Sequence, residues 1–165
     1  MADGAEFKLE GLDNVLAMLQ AMPPEVVSKV RGPVQRSIIK GMKPMLQRVK
    51  ANLQVVTSNA TTHEDRQNTG LLLKNTVLTR GRPPTGGKGE RYLIRVKKRQ
   101  YPRKSGNGET NTIQNAQRLE YGTSQQPAEP YIRPAFAVEA GPTIERTRVA
   151  LIDEVDKLAQ TYLNR

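Results

Sequence analysis

The sequence predicts an α+β fold, a small antiparallel β-sheet with a long basic hairpin packed against a kinked long helix and a C-terminal helix. Three patterns predict it. Apolar residues recur at three- and four-residue steps through 24–54 (Val27, Val30, Val34, Ile38, Met42, Met45, Val49, Leu53), the stripe of an amphipathic helix. A second such stripe, Ile144, Leu151, Ile152, Val155, Leu158, Ala159 and Tyr162, runs to the C-terminus. Between them, 91–98 alternates, with Tyr92, Ile94 and Val96 on one face and Arg91, Arg95 and Lys97 on the other, as a half-buried strand does.

In chain order, Glu6-Phe7-Lys8-Leu9-Glu10 reads as a short edge strand, and Asp13 as the N-cap of a short helix carrying Leu12, Val15, Leu16 and Leu19. Pro23-Pro24 ends that helix and Pro24 opens the next. In the long helix, Pro33 after Gly32 predicts a kink or break and Pro44 a bend, because each proline removes a hydrogen bond and crowds the preceding turn. Residues 57–69 carry no hydrophobic period and read as a polar loop. Gly70 punctuates, Leu71-Leu72-Leu73 is an apolar turn, and 71–80 pairs with 91–98 as the hairpin, joined by a Gly/Pro-rich turn. A second loop covers 101–112, and a short element over 116–123 ends at Gly122. Pro127 and Pro130 hold an extended crossing, anchored in the core by Tyr131, Ile132 and Phe136. Pro134 then opens the last helix, which Gly141-Pro142 interrupts. The expectation is one domain, 1–165, with mobile loops at about 57–69, 80–90 and 100–113.

Composition narrows the function classes. The 165 residues include no Cys, so disulfides and thiolate metal sites are excluded, and His63 is the single histidine. Only 36% of residues are hydrophobic and 4% aromatic, which is lean for a self-sufficient monomer and predicts burial against partners. No apolar run reaches the roughly 20 residues that span a bilayer, and the N-terminus lacks the pattern of a signal peptide. The expectation is a chain made in the cytoplasm, with no membrane partner. The net charge of +10 is concentrated. Residues 80–104 hold ten basic side chains against Glu90 alone, leaving the rest close to neutral.

Motifs that carry chemistry are weak. Gly86-Gly87-Lys88-Gly89 lacks the leading Gly and the trailing Ser or Thr of a phosphate loop, so it reads as a flexible hairpin tip. His63-Glu64-Asp65 reads as solvated loop, and Asn59-Ala60-Thr61 matters as a glycan acceptor only in a secreted chain. Glu25, Glu120, Glu129, Glu139, Glu145, Asp153, Glu154 and Asp156 read as surface pairs beside basic residues. No catalytic residue, cofactor site or metal site is predicted, and the chain is not expected to be an enzyme. The basic segment, with Arg80, Arg82, Arg91, Arg95, Lys97, Lys98 and Arg99, admits three readings. It is a solvated strand, a contact to nucleic-acid phosphates, or a docking face for an acidic protein neighbour.

The most informative segment is 119–135. Glu120-Tyr121-Gly122-Thr123-Ser124 and Pro130-Tyr131-Ile132-Arg133-Pro134-Ala135 resemble the hallmark of the gene-product-ten-like family of tailed-bacteriophage head–tail joining (tail completion) proteins. Leu9-Glu10-Gly11-Leu12-Asp13 looks like that family's opening, and Asn68-Thr69-Gly70-Leu71 with Lys74-Asn75-Thr76-Val77 is similar to its Asp-Thr-Gly-Xaa-Leu turn. Polar Asn115, Gln117 and Arg118 depart from an apolar stretch of the family, and the loops look longer. The resemblance implies a non-enzymatic virion protein without cofactor, forming a homo-oligomeric ring, taken as six-fold, in the neck. Its partners would be connector or stopper and tail-tube proteins, with passing contact to genomic DNA. Gly70, Glu120, Tyr121, Gly122, Thr123, Pro130, Arg133 and Pro134 are the structural motif it implies.

Overall fold

The structure is a computed structural model that describes residues 32–59, 70–82, 91–101 and 110–163. The predicted N-terminal strand and short helix, the start of the long helix, His63-Glu64-Asp65 and the glycine-rich tip lie outside the described residues. The elements are α1 (Pro33–Asn59), α2 (Leu71–Asn75), β1 (Thr76–Arg80), β2 (Tyr92–Val96), α3 (Thr112–Tyr121) and α4 (Ile132–Leu163). The class is α+β, as the periodicities require. By contact the chain divides into two units, one of Met1–Gly41 with Glu145–Arg165, the other Met42–Ile144.

In the first unit, the opening of α1 lies against the second half of α4. A Cβ on Gly41 would stand 2.8 Å from the Thr147 backbone nitrogen, so only glycine lets the two backbones approach this closely. Ser37, Ala150 and Val155 are buried here, and Arg36–Glu154 and Lys40–Asp153 bridge the same helices.

The second unit holds the main core. Val49 and Leu53 of α1, Leu72 of α2, Ala116 and Leu119 of α3, and Tyr131 and Ala135 at the head of α4 form one buried cluster. Ile94 and Val96 of β2 pack against it from the sheet. β1 and β2 pair antiparallel with Thr76 opposite Val96 and Arg80 opposite Tyr92. Alternation along β2 holds, since Arg95 is exposed while Tyr92, Ile94 and Val96 are half-buried.

One boundary agrees with the sequence reading and four differ. The described start of α1 at Pro33, where proline costs no hydrogen bond, fits the break expected at Gly32-Pro33. That helix continues through Pro44 and past 54 to Asn59, with Thr57 and Ser58 donating their hydroxyls to the carbonyls of Leu53 and Val55. Leu71–Asn75 is a helical turn rather than the first half of a strand, so the hairpin ladder is 76–80 with 92–96. Its end is fixed locally, since the buried Thr76 hydroxyl donates to the Leu72 carbonyl at 2.9 Å. Gly141-Pro142 does not interrupt α4. Both residues are exposed, and the carbonyl that Pro142 deprives of a donor belongs to Val138, a residue itself 58% exposed, so the lost bond falls on the solvent side of the helix.

The short element expected over 116–123 begins earlier, at Thr112, because Asn111 caps it. The Asn111 side chain accepts the N–H groups of Ile113 and Gln114, and the Gln114 side chain accepts the Asn111 N–H in return. Asn111→Ala is expected to cost about 1 kcal/mol, read as a lower urea midpoint with unchanged slope.

Candidate functional site

The residues that carry the family resemblance converge on one junction, between the end of α3 and the start of α4. Glu120 is the last buried residue of α3, at 4% exposure. Its carboxylate accepts the backbone N–H groups of Tyr131 (2.9 Å), Ile132 (2.9 Å) and Arg133 (3.0 Å). These are donors that the first turn of α4 leaves without a helical partner, and an anion there also meets the positive end of the helix. Pro134, next in line, has no N–H to satisfy.

Arg133 closes the junction from outside. Its Nε donates to a Glu120 carboxylate oxygen at 3.1 Å, and its Nη2 donates to the Glu120 backbone carbonyl at 2.5 Å. The guanidinium also lies 5.2 Å from the centre of the Tyr121 ring, within cation–π range. Burial alone would push the Glu120 carboxyl up, but the N–H groups of Ile132, Arg133 and Tyr131 and the Arg133 side chain outweigh it and hold it below its usual range. Glu120 is therefore a buried, ionised hub rather than the surface pair expected from its neighbours in sequence.

The chain reaches this junction through a turn that only glycine allows. Gly122 sits at φ 75°, ψ −175°. Thr123 and Gln126 then exchange backbone hydrogen bonds at 2.8 and 3.3 Å, and the Glu129 N–H returns to the Leu119 carbonyl at 2.8 Å. Half-buried Pro130 leads into Tyr131, which is fully buried, while the Asn52 side chain donates to its carbonyl at 3.2 Å. Burial, and then the charges of Glu120 and Tyr101, raise the Tyr131 hydroxyl well above the ordinary tyrosine range. Phe136, expected in the core, is instead 61% exposed, because it lies one position past Ala135 and off the buried side of α4. Gly70 stands apart from this junction, with φ 64° at the N-cap of α2.

The basic residues form a separate, displayed set. Arg80 ends β1, Arg82 follows it, Arg91 precedes β2, Arg95 lies within it, and Lys97, Lys98 and Arg99 follow; all seven are exposed. The backbone beneath the last three is held in place. The Lys97 N–H donates to the Asn75 carbonyl, and the Thr112 hydroxyl donates to the Lys97 carbonyl at 2.6 Å while accepting the Arg99 N–H at 2.9 Å. The Thr112 N–H donates back to the Arg99 carbonyl. Buried Tyr101 is fixed by the Asn115 side chain, which donates to its hydroxyl at 3.0 Å. Burial raises the Tyr101 hydroxyl and this hydrogen bond offsets only part of the rise.

Sequence reasoning missed Thr112, Asn115 and Asn52. The capping box at 111–114 was legible, whereas the partners of Thr112 and Asn52 are distant in sequence and left no local signal. Among the described residues no group of three His, Asp or Glu side chains is placed to hold a metal ion. No described helix is long and apolar enough to cross a membrane. Comparison with protein-family models, with curated proteins and with solved structures finds no match to the chain.

Proposed function

We propose that the chain is a structural virion protein of a tailed bacteriophage, forming a homo-oligomeric ring at the head–tail junction that joins the tail tube to the connector. It would be assembled in the host cytoplasm and carry out no catalysis. The observation that carries this reading is the Glu120–Arg133 junction. Seven of the eight residues singled out by the resemblance, Glu120, Tyr121, Gly122, Thr123, Pro130, Arg133 and Pro134, lie on this one connection, where Glu120 fastens α3 to α4. A motif spent on architecture is what a scaffold needs, and the exposed basic strand supplies a docking face for acidic neighbours.

The exposure of all seven cations, the last three on a backbone held by hydrogen bonds, also supports a second reading, contact with DNA phosphates. Mobility shift of mixed-sequence DNA at several salt concentrations separates the two. The ring reading predicts no shift at physiological salt. A shift that weakens steeply with salt and disappears when Arg91, Arg95, Lys97, Lys98 and Arg99 are reversed to Glu would favour the DNA reading.

A further inference from the structure

We propose that the head of α4 is the contact between copies of the chain. Phe136 of one copy enters a hole framed by Pro134, Ala137, Val138 and Gly141 on the same helix of the next. The inference rests on the oligomeric part of the proposed function and names the surface that carries it.

The first three turns of α4 are inverted for a helix at a protein surface. Their buried stripe is Ala135, Glu139 and Thr143, and Glu139 is ion-paired with Arg48 at 3.6 Å. From Pro134 to Ile144, every exposed residue is uncharged, Phe136, Val138 and Ile144 among them. A helix that simply faces water carries polar side chains there. This one leaves roughly 400 Å² of apolar surface, the size of patch through which proteins bind partners.

The patch has two complementary halves. Pro134, Ala137, Val138 and Gly141 stand at i, i+3, i+4 and i+7, the corners of the hole that one helix offers to a knob from another. All four are exposed, and a Cβ added at Gly141 would meet nothing within 4 Å, so the hole is open. Phe136, largely in solvent, stands about 150° round the helix from the centre of that hole. One helix thus shows a knob without a hole and, on its other side, a hole without a knob. A single copy cannot join them, and a two-fold pair would need both on one face. Copies that each give a knob and receive one make a head-to-tail contact, the kind that closes into a ring. Charge selects the same occupant. Copies with a net charge of +10 repel one another, and here two helices meet with no charged side chain between knob and hole. An acidic partner would be drawn to the basic strand instead. One contact of this area falls short of the roughly 1,600 Å² of a standard interface. In a ring each copy makes it twice, and closure holds both.

The test exchanges size between knob and hole within one chain. Phe136→Ala removes the knob and Gly141→Leu fills the hole. By sedimentation velocity of the full chain, each should weaken self-association by about tenfold or more. The double variant should return to within about threefold of the native protein, because a short knob then meets a shallow hole. The two positions lie on opposite sides of the helix, so such a rescue passes only between copies. Both are exposed, so the melting temperature of each variant at low concentration reports its folding separately. Losses that multiply in the double variant would overturn the proposal. A single variant that associates as tightly as the native protein, or more tightly, would also overturn it, assign the face to another partner and leave the ring reading intact. Native protein that stays monomeric at every concentration would remove both.

Discussion

Replacing Glu120 by Ala is expected to cost roughly 3–5 kcal/mol of folding stability, because it strips a buried carboxylate from several donors at once. Three backbone N–H groups at the head of α4 and the Arg133 guanidinium lose their acceptor together. Glu120→Gln keeps the shape and one acceptor oxygen, and about half that loss is expected. Arg133→Ala should cost only about 1 kcal/mol, since its side chain is 57% exposed and the pair is screened by solvent on that side. The order Glu120→Ala, Glu120→Gln, Arg133→Ala is read from urea denaturation of the three variants. Acidity supplies a further check. The folded carboxyl titrates below its unfolded value, so its stabilisation is fully present above the unfolded carboxyl pKa of about 4.3 and is lost as pH falls through the depressed folded value. The stability gap between native protein and Glu120→Gln should therefore be constant near neutrality and shrink in acid below that point. A gap that widens on acidification would show that Glu120 is not held ionised.

Gly122→Ala is expected to cost roughly 3 kcal/mol, from backbone strain and a collision together. The residue lies at φ 75°, ψ −175°, a region open in practice to glycine alone. An added Cβ would stand 2.8 Å from the Ala128 nitrogen and 2.9 Å from the Gln126 carbonyl oxygen. Both are backbone atoms, one in the turn that Thr123 and Gln126 close and one just past it, so neither can swing aside as a side chain could. For a chain of this size the loss corresponds to a melting temperature lower by roughly 6–12 °C. Gly141→Ala is the control. Gly141 is an exposed helical position with nothing within 4 Å of an added Cβ, and the same substitution there should stabilise by about 0.5–1 kcal/mol. Equal behaviour of the two glycines would contradict the geometry assigned to the turn.

The parts of the fold that were legible in the sequence are those set by local periodicity. The stripe through Met45, Val49 and Leu53 is buried, and Ile94 and Val96 of the alternating strand pack against the core. Pro142 does not interrupt its helix as the sequence leads one to expect, and Pro44 also lies inside a helix. A helix tolerates proline where its neighbours pack well and the orphaned carbonyl faces water, conditions that tertiary structure sets. Leu71-Leu72-Leu73 reads as the approach to a strand because a short apolar run has no period of its own. At the junction, sequence gave the residues but not their roles. Glu120 beside basic residues looks like a surface pair, and its burial depends on where Arg133 and the head of α4 return, thirteen residues later. Phe136, as an aromatic, is expected inside, yet its neighbour Ala135 takes the buried position. The basic face was legible in position and charge, and its rigidity was not, because that rests on Thr112 reaching back to Lys97 and Arg99.

The central claim is that the chain builds a closed ring, and native mass spectrometry of the purified full-length protein with negative-stain electron microscopy of the same sample tests it most directly. The account predicts one discrete stoichiometry, six-fold by expectation, and annular particles with a central channel. Monomers throughout the micromolar range, binding mixed-sequence DNA in a salt-dependent way through the 91–99 cations, would contradict it.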